Sequence, residues 1–164
     1  MSSPTWTGIS SPDDLCRVQA RPNPGPRRDA ASPKAVVHEL QGKGRVVYQV
    51  RKGSHSLGLV DEDPGAAQPR LLREMPTVKD LQERAMQVKQ DSRGNRIVVL
   101  RPRLEEWIVS AARDAGVRLG DYSLPNDPLE LHKVINVNLA TFGVLVVELR
   151  NSPRLRALAE LLRG

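Results

Sequence analysis

Two carboxylates, Asp61 and Asp63, close a short apolar run in Ser56-Leu-Gly-Leu-Val-Asp-Glu-Asp-Pro64, and Gly65 completes a Pro-Gly stop. Acids spaced i, i+2 repel each other unless a cation or a basic group sits between them. In an α/β protein, functional groups gather in the crevice at the carboxyl ends of the strands. Aspartates at such a place suit Mg²⁺, a hard ion that takes one or two carboxylates together with water and phosphate oxygens. Asp, Pro and Gly are also turn formers, so a solvated turn accounts for the same residues without any ion.

The elements that would position these acids can be read from the pattern. Residues 57–60 read as the strand that delivers Asp61 and Asp63. Arg45-Val-Val-Tyr-Gln-Val50, rich in β-branched and aromatic residues, reads as a strand before it. Ser32, Pro33 and Gly42 bracket an expected helix over 33–40. Residues 78–90 read as a helix or as a short helix followed by a strand; the turn signal Asp91-Ser-Arg-Gly94 favours the second, with 86–90 and 95–100 as a hairpin. From Pro102 onward the pattern turns helical. Leu104, Trp107, Ile108, Ala111 and Ala115 share one face, with Gly116 as the stop. Asp127 caps an expected helix over 128–135, and 139–150 is long enough to favour a helix over a strand despite Val144, Val146 and Val147. Ser152-Pro153 opens the last helix, whose inner stripe is Leu155, Leu158, Leu161 and Leu162. Strands first and helices after predict a small α/β sheet with a helical carboxyl-terminal part, 34–164 forming one domain. Residues 1–33, in which prolines recur among Ser, Arg and Asp, are expected to be disordered.

Composition narrows the partners. The 164 residues carry a net charge of +6, which favours an acidic partner such as nucleic acid. The single cysteine, Cys16, excludes an intramolecular disulfide framework. With no apolar run of membrane-spanning length and no signal-peptide core, the expected location is the cytoplasm, with no membrane partner. Gln41-Gly-Lys-Gly44 lacks the spacing of a phosphate loop and reads as a turn. His38, His55 and His132 show no paired zinc spacing, and His55, six residues before Asp61, reads as a loop histidine.

The run Gly58-Leu-Val-Asp61-Glu-Asp63-Pro64, followed by Leu100-Arg-Pro102-Arg-Leu-Glu105-Glu-Trp107, resembles the pattern of small TOPRIM-like proteins of bacteria, some of them associated with defence systems. In the wider TOPRIM group of topoisomerases, primases and some nucleases, a strand-end Asp-x-Asp holds Mg²⁺. A glutamate after an earlier strand acts there in acid–base chemistry. The resemblance spans roughly residues 45–110. It implies Asp61 and Asp63 as metal ligands, Mg²⁺ as cofactor, and Glu105 as a further, catalytic carboxylate at a helix start. Acids in a first helical turn also complement the helix dipole, which explains Glu105 and Glu106 without catalysis. Trp107, on the apolar face, reads as core. Arg101 and Arg103 would lie beside the acids and, with Arg51 and Lys52, could neutralise phosphates; a solvated basic face accounts for them equally. One departure stands out. No strand-Glu-Gly sequence precedes Arg45, and Glu39 falls in the expected helix.

Three functions follow as expectations. The first is a Mg²⁺-dependent, nuclease-type domain acting on nucleic acid, in active or degenerate form. The second is an accessory protein without catalysis that binds a protein partner, such as an ATPase of the same module, through its carboxyl-terminal helices. The third is a basic nucleic-acid-binding module without metal.

Overall fold

The computed structural model describes residues 42–163. The segment 1–33 and the expected helix 33–40, with Cys16, His38 and Glu39, lie outside the described residues.

The strand expected at 45–50 is a helix, and this is the main correction to the sequence reading. Helix α1 (Gly42–Lys52) buries Val46, Val47 and Val50. Those positions, i, i+1 and i+4, form one helical stripe. Their β-branching favours a strand locally, but packing of the stripe against the sheet outweighs that preference. Gly42, Lys43 and Gly44, expected in a turn, form the first turn of α1.

Strand β1 (Leu57–Asp61) leads through a short helix α2 (Arg70–Glu74) to β2 (Thr77–Leu81), β3 (Met86–Gln90) and β4 (Arg96–Leu100). The sheet order is β1-β4-β3-β2. β2, β3 and β4 form an antiparallel meander, whereas β1 runs parallel to β4 with Asp61 opposite Leu100. The expected 86–90 and 95–100 hairpin is present. The short helix expected from 78 to the start of β3 is instead the strand β2 followed by a single turn over Gln82–Arg84, and α2 was not anticipated. Helices α3 (Leu104–Asp114), α4 (Pro128–Ile135), α5 (Leu139–Glu148) and α6 (Pro153–Arg163) complete the described residues. The architecture is α/β, with a small mixed sheet and a helical carboxyl-terminal part. Among the described residues, no helix is long and apolar enough to cross a membrane.

Alternation along the strands sorts the core into two layers. Ile97 and Val99 of β4 and Val60 of β1 pack with the valines of α1 and with Leu72. Val98, Leu100 and Leu57 face the other way, onto Trp107, Ile108, Ala111, Leu131 and Leu145. The Trp107 indole N–H donates to the Arg84 carbonyl at 2.8 Å, confirming it as core. Gly58 lets α1 close on β1: a Cβ there would lie 2.8 Å from Val50 Cγ2 and 3.1 Å from Val46 Cγ1.

At the far end of β1 from the acids, the fully buried Asn95 ties the turn together. Its Oδ1 accepts from the Ser56 amide at 3.0 Å, and its Nδ2 donates to Asp91 Oδ2 at 2.9 Å and to the Gly53 carbonyl at 3.1 Å. Burial pushes the Asp91 carboxyl up, but hydrogen bonds from the Asn95 side chain and from the Asn95 and Arg93 amides outweigh it and hold the group below the usual range. A lowered folded-state pKa contributes stability above the unfolded value, and that contribution is lost as the pH falls through the folded value. Asn95→Ala should therefore cost about 1–3 kcal/mol at neutral pH in urea denaturation, because it orphans the buried Ser56 amide. Asp91→Asn should destabilise at neutral pH by an amount that shrinks on acidification.

Candidate functional site

The parallel pairing of β1 and β4 brings both strands to one edge of the sheet, and α3 starts from that edge. The pairing continues beyond the strands: the Glu62 amide donates to the Leu100 carbonyl at 2.8 Å and the Asp63 amide to the Pro102 carbonyl at 2.7 Å. The loop after β1 is thereby held against the residues that open α3.

Asp61 follows Leu57 and Leu59 on the α3 face of β1 by strand alternation. Burial raises its carboxyl above the ordinary range. The charge of Lys43 and the backbone amide of Leu104, the first residue of α3, pull the other way, while Asp63 and Glu105 add repulsion. α3 has no side-chain cap of its own at Arg103, so Asp61 supplies the negative group that its amino terminus favours.

Asp63 sits at φ +42°, in left-handed backbone. Its Oδ1 accepts from Arg103 Nε at 3.0 Å, and that hydrogen bond holds the carboxyl below its usual range. Arg103 Nη1 also donates to Glu106 Oε1 at 3.2 Å. Glu106 Oε2 is buried without a hydrogen-bond partner among the described residues.

Lys43, in the first turn of α1, reaches this loop from the opposite layer. Its ammonium donates to the Glu62 carbonyl and, at 3.4 Å, to Gln68 Oε1. Gln68 Nε2 donates to the same Glu62 carbonyl.

Glu105 is buried apart from a small fraction of its side chain, and its Oε1 lies 2.6 Å from Nδ1 of the exposed His132 on α4. The arrangement connects a carboxylate near Asp61 to solvent through an imidazole.

The structure pairs Asp63 with Arg103 and sets Asp61 at the end of β1 and Glu105 in the first turn of the adjoining α3. Arg101 is not part of the group; its guanidinium pairs with Asp80 on β2. Arg51 and Lys52 end α1 and lead into the start of β1, so they lie at the opposite end of the sheet from Asp61, with the Lys52 ammonium over the Tyr48 ring. His55 lies at that far end too, its ring beside Gly94. Lys43, Gln68 and His132 join the site unannounced. Lys43 had no signal in the sequence, because its place in the first turn of a helix appears only once 42–52 is known to be helical.

Among the described residues, no group of three or more His, Cys, Asp and Glu side chains is placed to hold a metal ion. The donor chemistry nonetheless suits Mg²⁺, which needs only one or two carboxylates beside neutral oxygens and water. Asp61, Asp63, the Glu62 carbonyl and Gln68 Oε1 are oxygens of that kind, and the Lys43 ammonium donates to the last two. Two surface clefts lie elsewhere, one beside Arg113 and Arg118 and one lined by Lys79, Arg84, Arg96 and Glu160. Neither includes Asp61, Asp63 or Glu105.

Compared with family models, with curated proteins and with solved structures, the chain matches none.

Arg103 is the group that lowers Asp63. Arg103→Met should move the Asp63 carboxyl titration, followed by carboxyl-carbon NMR, upward toward the ordinary aspartate range. An unmoved titration would show that Arg103 does not neutralise it.

Proposed function

We propose that the chain is a TOPRIM-like domain that acts on nucleic acid at the β1–α3 junction, with Mg²⁺ as cofactor. The observation that carries this reading is the placement of Asp61 and Asp63 at the end of β1, with Arg103 on Asp63 and Glu105 in the first turn of the adjoining α3. Asp61 and Asp63 would hold the metal. When bound, Mg²⁺ supplies a positive charge that polarises a phosphoryl group toward attack by water.

The remaining roles belong to the chain. Arg103, freed from Asp63 when that carboxylate turns to the metal, donates to a backbone phosphate and fixes its orientation. Glu105 Oε1 exchanges a proton with His132 Nδ1, and the exposed imidazole passes it to solvent. The net positive charge of the chain draws a polyanion toward the junction. A cytoplasmic setting, argued from the single cysteine, is part of the proposal.

The test is hydrolysis of labelled single- and double-stranded DNA and RNA with Mg²⁺ or Mn²⁺. Asp61→Asn and Asp63→Asn should each lower the rate by about 10²-fold or more, and Glu105→Gln by about 10²-fold. Equal rates in all four proteins would remove the catalytic claim.

A second reading, an accessory protein that docks on a partner such as an ATPase, has its own support. Val137 is 84 % exposed, and Val144 and Val147 continue an apolar stripe along α5 to its end. Recovery of the tagged native complex from its source cells should then fail for Val144→Asp. Recovery undiminished by the substitution would exclude this face as the contact.

A further inference from the structure

The net charge of the described residues is concentrated in one layer of the molecule. Residues 42–163 contain 20 Lys and Arg against 15 Asp and Glu. Helices α1 and α2 hold six of those bases and a single acid, Glu74, a net of +5. The 14 bases and 14 acids of the remainder cancel. Both helices lie on the same face of the sheet, held there by Val46, Val47, Val50, Leu71 and Leu72.

Most of the bases in this layer point outward. The three valines turn one side of α1 to the sheet, which leaves Arg45, Tyr48 and Lys52 as an exposed stripe at i, i+3 and i+7, with Arg51 beside it. Lys43 is the exception, its ammonium turning to the loop after β1. Tyr48 is 53 % exposed, and the Lys52 ammonium sits 4.4 Å from its ring centroid, an attraction that keeps the charge on the outer face. Arg73 of α2 is exposed as well. Glu74 pairs with Arg70 at 2.6 Å, whereas Arg45, Arg51, Lys52 and Arg73 form no ion pair among the described residues. The helix dipole gives a reason for Arg51 and Lys52 in the last turn of α1, but none for Arg45. Like charges gathered on one face repel each other until an anionic partner meets them.

We propose that the outer face of α1, together with Arg73 of α2, docks the phosphate backbone of duplex nucleic acid without reading its sequence. A lipid surface is a poorer match, because the apolar side of α1 is occupied by the sheet and Tyr48 is its only large exposed apolar group. A protein partner would need an apolar centre to the contact, and one tyrosine does not make one. Single strands are held by successive stacking aromatics, which α1 and α2 do not offer. A duplex presents about one phosphate per 1.7 Å of its axis, so a helix about 16 Å long meets several at once. This surface needs no metal and no catalysis, and it does not depend on the reading of the β1–α3 junction.

The experiment is fluorescence anisotropy of a labelled DNA duplex of about 20 base pairs, titrated with the full chain in EDTA at about 50–200 mM KCl. Four phosphate contacts predict that log Kd rises with log salt at a slope of about 3–4. Arg45→Gln combined with Lys52→Gln should weaken binding about tenfold or more and lower the slope by about 2. Arg113→Gln combined with Arg156→Gln removes the same charge from exposed positions on α3 and α6 and should bind within about twofold of wild type. Arg45→Lys combined with Lys52→Arg should bind as wild type does. Circular dichroism melts of every variant separate lost binding from lost folding.

Absence of binding at the lowest salt overturns the proposal, and so does unchanged affinity in the folded Arg45→Gln, Lys52→Gln protein. Equal losses in the two glutamine pairs overturn it too, because the binding would then follow net charge rather than this face. Sedimentation with phosphatidylserine vesicles in the absence of duplex binding would replace the duplex with a lipid surface. All measurements are made in chelator, so the metal reading can fail while this one stands, and the reverse.

Discussion

The placement of the half-buried Asp61 carboxylate beside the start of α3 is the constraint around which this edge of the molecule is built. A strand end and a helix start that both need a partner supply it to each other: α3 lacks a side-chain cap, and Asp61 lacks full solvation. Taking a carboxylate partly out of water is unfavourable unless hydrogen bonds and opposite charge replace what water gave. The Leu104 amide and Lys43 do so. The continued pairing of Glu62 and Asp63 with β4 and its following loop then fixes where Asp63 can go, and Arg103 meets it there. Two neighbouring anions are tolerated in this chain because two bases from separate layers stand beside them.

Much of the scaffold was legible because its signals are local. Asp127 accepts from the Glu130 amide at 3.0 Å, as a cap before Pro128 should. Ser152 receives the Leu155 amide in the same manner, and 139–148 is helical as its length implied. The failures have physical causes. Val46, Val47 and Val50 carry two messages, β-branching and a helical stripe, and a short segment does not reveal which face will be covered. β2 escaped notice because nearly all of it is exposed, so no alternation of apolar and polar residues marks it. It is an edge strand held by its backbone to β3.

The site was legible in outline and illegible in its cross-links. Asp61 and Asp63 announce themselves by their place at the end of a strand and Glu105 by its place in a first helical turn, and the structure puts them at those places. Arg101 and Arg103 differ by two residues, yet the turn into α3 sends one toward Asp80 and the other toward Asp63. Sequence proximity could not separate them. Nor could it pair His132 with Glu105 across 27 positions, since that contact depends on how α4 packs against α3.

Gly58 has a bearing on chemistry that its place in the core conceals. With only hydrogen on its α-carbon, β1 lets the valines of α1 settle directly onto the backbone. The gap between that layer and the sheet determines how far an ammonium tethered at position 43 can stretch over the loop. Any bulk at 58 would raise the helix and leave the same lysine short. The bareness of one residue in the interior thus bears on the reach of another at the rim.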